Sequence, residues 1–528
     1  MALTQQDILA GLRALGVKPG MVVMAHSALS SFGEVAGGAD AVIEALIEAV
    51  GPQGTLLMPA MASVPVFDVS VAKSNVGIVT DTFWRRPGVI RSIHPTHSAA
   101  GIGPMAQQLL AGHVSQPTAL GPESPWGRIA RLPDGYILLL GCDQDRNTLL
   151  HCAEEAVDAP YLTPLQREYL DENREKRSIT LNKFPGPHRD FIGLDHVFRE
   201  RGVMRTGKIG KAACRLMHAA GTLEAAIEAL RRDPAAVLCD NPHCDDCVMQ
   251  RGRIKRARLA EESFTLCACF DDVAQGLADT RPGAAFLTRL GIRDIEVGDQ
   301  LAPRLWGESV ENRSRFAREL HSEGLRVHTL SAAPMVWEAL AGAPTDWASF
   351  AASLELAQEL GARYIKLPPI ATPPGASVEE AAAGLKAYAV EAGQRGLELL
   401  VENGAGTAWA TKDRCEALLA LCEAPNVRLG FNPAEFARAG EHPFLRTYYK
   451  GNLKKHLAVL YIEDGCPGPE PPRTLPGRGK GEVKELMSIL RCRSFDGIFC
   501  LRAIRGAACP WSAMQETWDA FWHLMDTL

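Results

Sequence analysis

The sequence predicts an α/β protein in two parts, an irregular α/β domain followed by a (β/α)8 barrel. Three observations carry this. A chain of 528 residues is too long for one ordinary core and calls for two or three domains. From Ser263 onward, short apolar strands alternate with amphipathic helices at about 30-residue spacing, the mark of repeated βα units. The first half mixes strand-like and helical segments with no short repeat.

Composition narrows the class. The chain has 56 basic and 62 acidic residues, a net charge of −6 and 46% hydrophobic residues, which fits a soluble globular enzyme without bias toward nucleic acid. The one strongly basic run, RGRIKRARL at Arg251–Leu259, reads as a solvated helix face. The opening MALTQQDILAGLRALGV has helical spacing and lacks the basic flank and apolar core of a secretory signal. No apolar run approaches the roughly 20 residues of a membrane span. Fourteen cysteines with no export signal point to a reducing cytoplasm. Small-molecule partners are expected, with no nucleic acid and no membrane; oligomeric state is not legible.

In chain order, VVMAHS (22–27), GTLLMP (54–59) and YILLLGC (136–142) read as strands. ADAVIEALIEAV (39–50) and GPMAQQLLAGHV (103–114) read as helices. Residues 167–207, rich in charge, Pro and Gly, read as irregular surface excursions. A cysteine cluster and the basic run mark a junction at 233–262, between domains at 1–232 and 263–528. The barrel strands are FTLCACF (264–270), IRDIEVG (292–298), LRVHTLSA (325–332), ARYIKLP (362–368), LELLVEN (397–403), VRLGFNP (427–433), LAVLYIED (457–464) and DGIFCLRA (496–503).

Four stretches carry candidate chemistry. VVMAHS runs into a Gly/Ser-rich loop and then a helix, so backbone N–H groups and a helix N-terminus near His26, Ser27, Ser30, Ser31 and Gly33 suit a pyrophosphate. A polar surface turn is the alternative. RSIHPTHS supplies Arg91, Ser92, His94, His97 and Ser98. A metal reading would join His94 and His97 to Cys142 or His151, but the intervening Pro95 argues against a helical ligand pair. NTLLHCAEEA (147–156) places Glu154 and Glu155 three and four residues after His151. That is either a general base with its acid or an ordinary ion pair on a helix capped by Asn147 or Thr148. CDNPHCDDC gives Cys239, Cys244 and Cys247, a C-x4-C-x2-C set suited to structural zinc, with Cys214, His218 or His243 as a fourth ligand. Unliganded reduced thiols are the other reading.

Six blocks of the first half, in order, resemble the aminoglycoside 3-N-acetyltransferase family. They are VVMAHSALSSFGEVAGGADAVIEAL (22–46), GTLLMPA (54–60), RRPGVIRSIHPTHSAAGIGPMA (85–106), GPESPWGRI (121–129), LLLGC (138–142) and NTLLHCAEE (147–155). The resemblance covers most of residues 1–165, with weaker agreement through GKIGKAACRLM (207–217). It implies transfer of an acetyl or other acyl group from coenzyme A, with acetyl-CoA as cosubstrate, to an amine of an aminoglycoside-like, aminocyclitol or amino-sugar acceptor. It implies that Thr148, His151 and Glu154 line the transfer centre, with His151 the general base and Glu154 rather than Glu155 its partner. His94 joins that centre by the same resemblance, while the His26–Gly33 loop, Arg91 and Ser92 face the cofactor. For Arg91 a structural ion pair is an equal alternative. Cys152 reads as a small buried thiol.

The second half resembles xylose-isomerase-like sugar-phosphate isomerase/epimerase TIM barrels, through LLVENG (399–404), FNPAEFARAGEH (431–442), YIEDG (461–465) and PGRGKGEVKELMSIL (476–490). Such barrels hold a divalent metal on carboxylates and histidines at the strand ends. Glu402 and Asp464 match, but Asn432 and Glu435 replace an Asp-x-x-His, Tyr461 stands for a histidine, and Arg502 for a glutamate. An arginine cannot ligate a metal at neutral pH, so the usual metal site is expected to be lost. Glu402, Glu435, Asp464, Lys366 and Arg502 are expected to converge on a polar ligand, or Arg502 to pair with Glu402. Two rival functions stand beside acyl transfer: a bifunctional protein whose barrel isomerises or epimerises a sugar-like substrate, and a binding scaffold of inactive folds.

Overall fold

The computed structural model describes residues 2–115, 118–184, 188–274, 276–332, 347–367, 377–407, 409–468, 473–504 and 510–528. The chain forms two compact units, Met1–Ile254 and Lys255–Leu528.

The first unit is built on a seven-stranded sheet. Its strands are β1 (Val22–Ser27), β2 (Thr55–Pro59), β4 (Ile90–Arg91), β5 (Ala99–Ile102), β6 (Gly135–Leu140), β9 (Met204–Ile209) and β10 (Ala212–His218), in the order β4-β5-β2-β1-β6-β10-β9. β1 runs parallel to both β2 and β6, and the outer pairs are antiparallel. Burial on both faces explains why the central strands read as continuous apolar runs. Period-2 alternation sorts β6 between two cores. Leu138 and Leu140 pack with Ile8, Leu12, Val42 and Leu46, while Ile137 and Leu139 pack with Leu149, Leu150, Ala226 and Leu230. Helix Gln5–Leu15 is bounded by a Thr4–Asp7 capping box and a left-handed Gly16 at φ 111°. Because β1, β2 and β6 are parallel, His26, Pro59 and Cys142 all lie at one carboxyl edge, where open α/β sheets bind ligands.

Residues 167–207 are more regular than their composition suggests. β7 (Thr163–Leu170) and β8 (Lys176–Lys183) form an antiparallel hairpin, and the short β3 (Val66–Phe67) joins β7 to make a second sheet. β8 is largely exposed and β7 half-buried, with Leu181 buried in β8, so the apolar alternation that marks a strand is missing. The turn chemistry fixes them instead: the Asp171 carboxylate accepts from the N–H groups of Asn173 (2.9 Å) and Glu175 (2.8 Å).

The second unit is a closed barrel of eight parallel strands: β11 (Thr265–Cys269), β12 (Asp294–Val297), β13 (Arg326–Ser331), β14 (Tyr364–Leu367), β15 (Glu398–Glu402), β16 (Val427–Phe431), β17 (Leu457–Ile462) and β18 (Ile498–Leu501). All eight fall within the stretches read as strands. Cys267, Tyr364, Leu400, Val459, Tyr461, Ile498 and Cys500 form one buried cluster, separate from the larger core in which the helices pack on the strands. Among the described residues, no helix is long and apolar enough to cross a membrane.

Candidate active site

Two adjoining cavities open at the carboxyl edge of the first sheet. The first, of about 640 Å³, is lined by His26, Ser27, Ser30, Gly33 and Gly38, among others. His26 Nε2 and Ser27 Oγ are buried there without a hydrogen-bond partner, so both await one from outside the protein. Burial pushes His26 down to about 4, which keeps it neutral and able to donate. Helix Gly38–Val50 begins beside the cavity behind a left-handed Gly37 and has no side-chain cap. Gly38 N–H donates to the Val35 carbonyl at 3.1 Å, and the N–H groups that follow it in the first turn suit an anionic ligand. Orphaned donors and an uncapped helix N-terminus fit the phosphates of a coenzyme A. Ser31 is turned elsewhere, donating to the Gly141 carbonyl at 2.7 Å. It ties the loop to the end of β6 and does not line this cavity.

The second cavity, of about 330 Å³, shares Met61, Arg146 and Thr148 with the first and is lined by His97, Asp145, His151 and Phe184. His151 lies in the first turn of helix Leu149–Ala156, with the rings of Phe184 and Phe191 beside it at 4.5 and 5.0 Å. Its Nδ1 bonds the Glu154 carboxylate, which leaves Nε2 as the ring nitrogen available to the cavity. Glu154 is 0% exposed and accepts further from Tyr161 Oη at 2.8 Å and Arg189 Nε at 2.7 Å. Burial raises its carboxyl, but the neighbouring His151 and Arg189 outweigh that and hold it below the usual carboxylate range. Glu155 instead accepts from Asn182 Nδ2 at 2.9 Å. Asn147 caps the helix, its Oδ1 accepting from Leu149 N at 3.2 Å, whereas Thr148 makes no capping bond. Cys152 is buried and lines a different, apolar pocket with Leu223 and Ile227, and burial pushes its thiol far up.

The RSIHPTHS stretch divides differently from expectation. Arg91 donates to the carbonyls of Ala60 and Ala72 and to Ser98 Oγ, and its guanidinium stacks 4.5 Å from the Trp84 ring. Ser92 pairs with His113 Nδ1 at 3.1 Å and accepts from Ala99 N at 2.9 Å. Neither lines either of these two cavities; both brace the strand edges. His94 also stands back from the cavities. Its Nδ1 accepts from His97 N at 2.9 Å and its ring stacks on His113 at 4.3 Å. His97, singled out by sequence only as a metal candidate, lines the second cavity, and burial, then nearby His151 and His113, press it down to about 3. Arg189 and Tyr161 gave no sequence signal, since nothing in their own surroundings announces a distant glutamate.

Among the described residues, the donors that gather within metal-binding reach are Cys239, Cys244, Cys247 and His188, whose ligand atoms lie within 4.8 Å of one another. The fourth member is none of those expected. Cys214 sits in β10 with its Sγ donating to Ala212 O at 3.5 Å, and His218 caps helix Ala219–Arg232 by accepting from Gly221 N. His243 stands outside the group. A single histidine some fifty residues upstream carries no spacing signature.

At the carboxyl end of the barrel strands a charge network fills the centre. Arg502 bonds Glu402 through two nitrogens and reaches Glu296 at 2.9 Å, while its guanidinium lies 3.6 Å from the Tyr461 ring centre. Lys366 Nζ lies 2.9 Å from Glu296, 3.3 Å from Asp299 and 3.5 Å from Glu402. Asn432 bridges Glu402 and Glu463. Although burial opposes it, Arg502 and Lys366 hold the Glu402 carboxyl well below its usual range. Two cations thus stand among the carboxylates where a divalent ion would need open ligands. Asp464 does not converge with them: its carboxylate accepts from Gly465, Gly477, Gly479 and Gly481 N–H groups and shapes the PGRGKG loop. Glu435 pairs with Arg438 and Arg473 instead. Glu296 and Glu463 were not foreseen from the sequence.

With this geometry in hand, comparison with known proteins is direct. The family model for aminoglycoside 3-N-acetyltransferase matches residues 24–231, and that for the xylose isomerase-like TIM barrel matches 284–518. Aminoglycoside N(3)-acetyltransferase IV of a Salmonella species is 37% identical over 238 residues, covering 44% of this chain and 89% of that protein. Aminoglycoside N(3)-acetyltransferase IX of Micromonospora chalcea is 31% identical over 260 residues, covering 42% of this chain and 92% of that protein. The crystal structure of aminoglycoside acetyltransferase AAC(3)-IVa, apoenzyme, aligns at 32% identity with a TM-score of 0.43, over 47% of this chain and 96% of that one. By its N-terminal unit the chain belongs to the aminoglycoside 3-N-acetyltransferase family, and its C-terminal unit is a xylose isomerase-like TIM barrel.

Proposed function

We propose that the first unit is an N-acetyltransferase that moves an acetyl group from acetyl-CoA to an amine of an aminoglycoside-like, aminocyclitol or amino-sugar acceptor, with His151 as general base. One observation carries the reading: the His151–Glu154 pair, backed by Arg189 and Tyr161, opens onto a cavity that shares a wall with a second cavity suited to phosphates. Acetyl-CoA, when bound, supplies an acyl thioester. His26, Ser27, Ser30 and the N-terminus of helix Gly38–Val50 hold its phosphates. The acceptor amine, mostly protonated at neutral pH, gives one proton to His151 Nε2, which passes it to solvent. The free amine attacks the thioester carbon, and the C–N bond forms as the C–S bond breaks. The amine's second proton goes to coenzyme A leaving as a thiolate. Glu154 keeps the Nδ1–H tautomer in place and stabilises the imidazolium as it forms. Thr148, on the wall common to both cavities, donates to the thioester oxygen. Cys152 is sequestered in another pocket, which supports direct transfer without an acyl-enzyme.

The reading extends to a structural zinc ion on Cys239, Cys244, Cys247 and His188, since a closed set of three thiolates and an imidazole suits zinc over harder cations. Unpaired cysteines and a proposed acetyl-CoA cosubstrate support a cytoplasmic reaction. The barrel serves as a ligand-binding companion, not a metal-dependent isomerase, because Arg502 and Lys366 occupy the centre of its strand ends. An acceptor panel of aminoglycosides, aminocyclitols and amino sugars, with thiol release from acetyl-CoA followed for wild type and His151→Ala, tests the central claim. Equal release by both proteins with every acceptor would overturn it.

A further inference from the structure

The metal cluster and the catalytic pair are joined by two consecutive residues. His188 is one of the four gathered donors, and Arg189 is the cation that grips Glu154. His188 Nδ1 stands 3.3 Å from Cys247 Sγ and 3.5 Å from Cys244 Sγ, across 59 and 56 residues of chain respectively. Separations of about 3.3–3.8 Å are the edge lengths of a tetrahedron with zinc bond lengths of roughly 2.0–2.3 Å. Cys244 and Cys247 bracket the start of helix Asp245–Leu259, whose N-terminal dipole favours thiolates.

The short segment around Arg189 is held on its C-terminal side by Phe191 and Leu194, buried in the core, and on its N-terminal side by the stretch that carries the cysteines. His188 N–H donates to Asp246 Oδ2 at 3.2 Å, and Asp190 N–H donates to the Val237 carbonyl at 2.9 Å. Both partners belong to the stretch that carries the cysteines. Arg189 itself folds back onto the His188 carbonyl at 2.9 Å and lies 5.1 Å from the Tyr161 ring centre. Its side chain is 3% exposed, so its path to Glu154 is narrow and depends on where the backbone at 188–190 is held.

We infer that the zinc site formed by His188, Cys239, Cys244 and Cys247 is a positioning device for the acyl-transfer centre, fixing Arg189 so that Glu154 orients His151. This rests on the acetyltransferase reading of His151 given above. Metal–protein bonds tie two stretches that share only a few backbone hydrogen bonds. The sequence of contacts runs from the ion through His188, the 188–189 peptide, Arg189 and Glu154 to the imidazole. His188 and Arg189 touch no substrate in this scheme, so both are positioning residues. The metal does no chemistry on the acyl group.

The full-length protein tests this with three measurements on wild type, His188→Ala and His188→Cys. Elemental analysis of the purified protein is expected to give one zinc per chain in wild type and His188→Cys, and loss of it in His188→Ala. Hydrogen exchange read by mass spectrometry is expected to show lost protection at 188–191 and 149–156 in His188→Ala, with Gly38–Val50 unchanged. Steady-state kinetics should show kcat falling about 10–100-fold, as for removal of groups that orient a functional residue. KM for acetyl-CoA is expected to stay within about twofold, because the first cavity is built from other elements. His188→Cys, which keeps four ligands, is expected to restore zinc, protection and kcat together. Wild type without zinc overturns the metal site. Zinc lost in His188→Ala with unchanged exchange at 149–156 and unchanged kcat overturns the coupling. Full activity in His151→Ala would instead remove the acetyltransferase reading while leaving the metal and exchange results standing.

Discussion

Replacing Glu154 by glutamine is expected to separate stability from chemistry in a measurable way. The substitution keeps the shape of the side chain but removes the only charge between His151 and Arg189, at a position 0% exposed on one side of the pair and 3% on the other. Taking one partner from a buried ion pair costs about 3–5 kcal/mol, much of it the burden of the cation left behind. At roughly 2–4 °C per kcal/mol for a domain of 150–250 residues, the first unit should melt about 6–20 °C lower. The imidazolium that forms during proton transfer also loses its carboxylate, so kcat/KM is expected to fall by about a hundred- to ten-thousand-fold. The informative comparison is Glu154→Gln/Arg189→Met, which removes the stranded cation as well. Melting, followed by calorimetry, should recover much of the lost interval in the double variant. Thiol release with the best acceptor should not recover at all. If Glu154→Gln transfers acetyl at the wild-type rate, or if activity returns in step with the melting temperature, the carboxylate is a structural partner only and its catalytic role is wrong.

Cys152→Ala is expected to keep kcat within about twofold of wild type, since the thiol lines another pocket and only nucleophilic catalysis would need it; pre-steady-state thiol release without a burst checks the same point. Arg502→Met should destabilise the barrel by about 3–5 kcal/mol in urea unfolding, because Glu296 and Glu402 would then share the Lys366 cation, helped by the neutral donors Tyr461 and Asn432. The buried histidines set the acid limb of stability. His26 and His113 are pushed down to about 4 and His97 to about 3, all chiefly by burial, so each is neutral when folded and takes a proton near pH 6.5 when unfolded. Stability is therefore complete above pH 6.5 and lost as pH falls from there toward 4. The expected slope is about 1.4 kcal/mol per pH unit for each histidine, measurable by denaturant titration at pH 7, 6 and 5. A flat profile over that range would contradict the burial of these rings.

The barrel was legible because its strands are apolar runs at a nearly constant interval, and a period survives even where single strands such as IRDIEVG are weak. The helix at 149–156 was legible for a different reason: its polar start, histidine and glutamates sit within one local stretch. What escaped had no local signature. Strands β7, half-buried, and β8, largely exposed, are held by a turn and by their own ladder, so hydrophobic patterning could not reveal them. Arg189, Tyr161 and His188 acquire their roles only when distant segments fold together. His94 and Arg91 erred in the opposite direction: residues beside a site in sequence were taken to face it, and the fold spends them one layer behind.

The guanidinium at the centre of the barrel has one further consequence, which concerns exchange. A divalent ion holds coordination positions from which water leaves as substrate arrives, and its occupancy follows the supply of metal around it. Arg502 has neither property: it is covalently part of β18's end, its two terminal nitrogens Nη1 and Nη2 are engaged by Glu296 and Glu402, and one face is covered by Tyr461. A molecule entering this barrel finds no ligand to displace. Under the proposed ligand-binding role, recognition there comes from groups at the rim and is expected to be indifferent to chelators, to competing ions and to metal starvation.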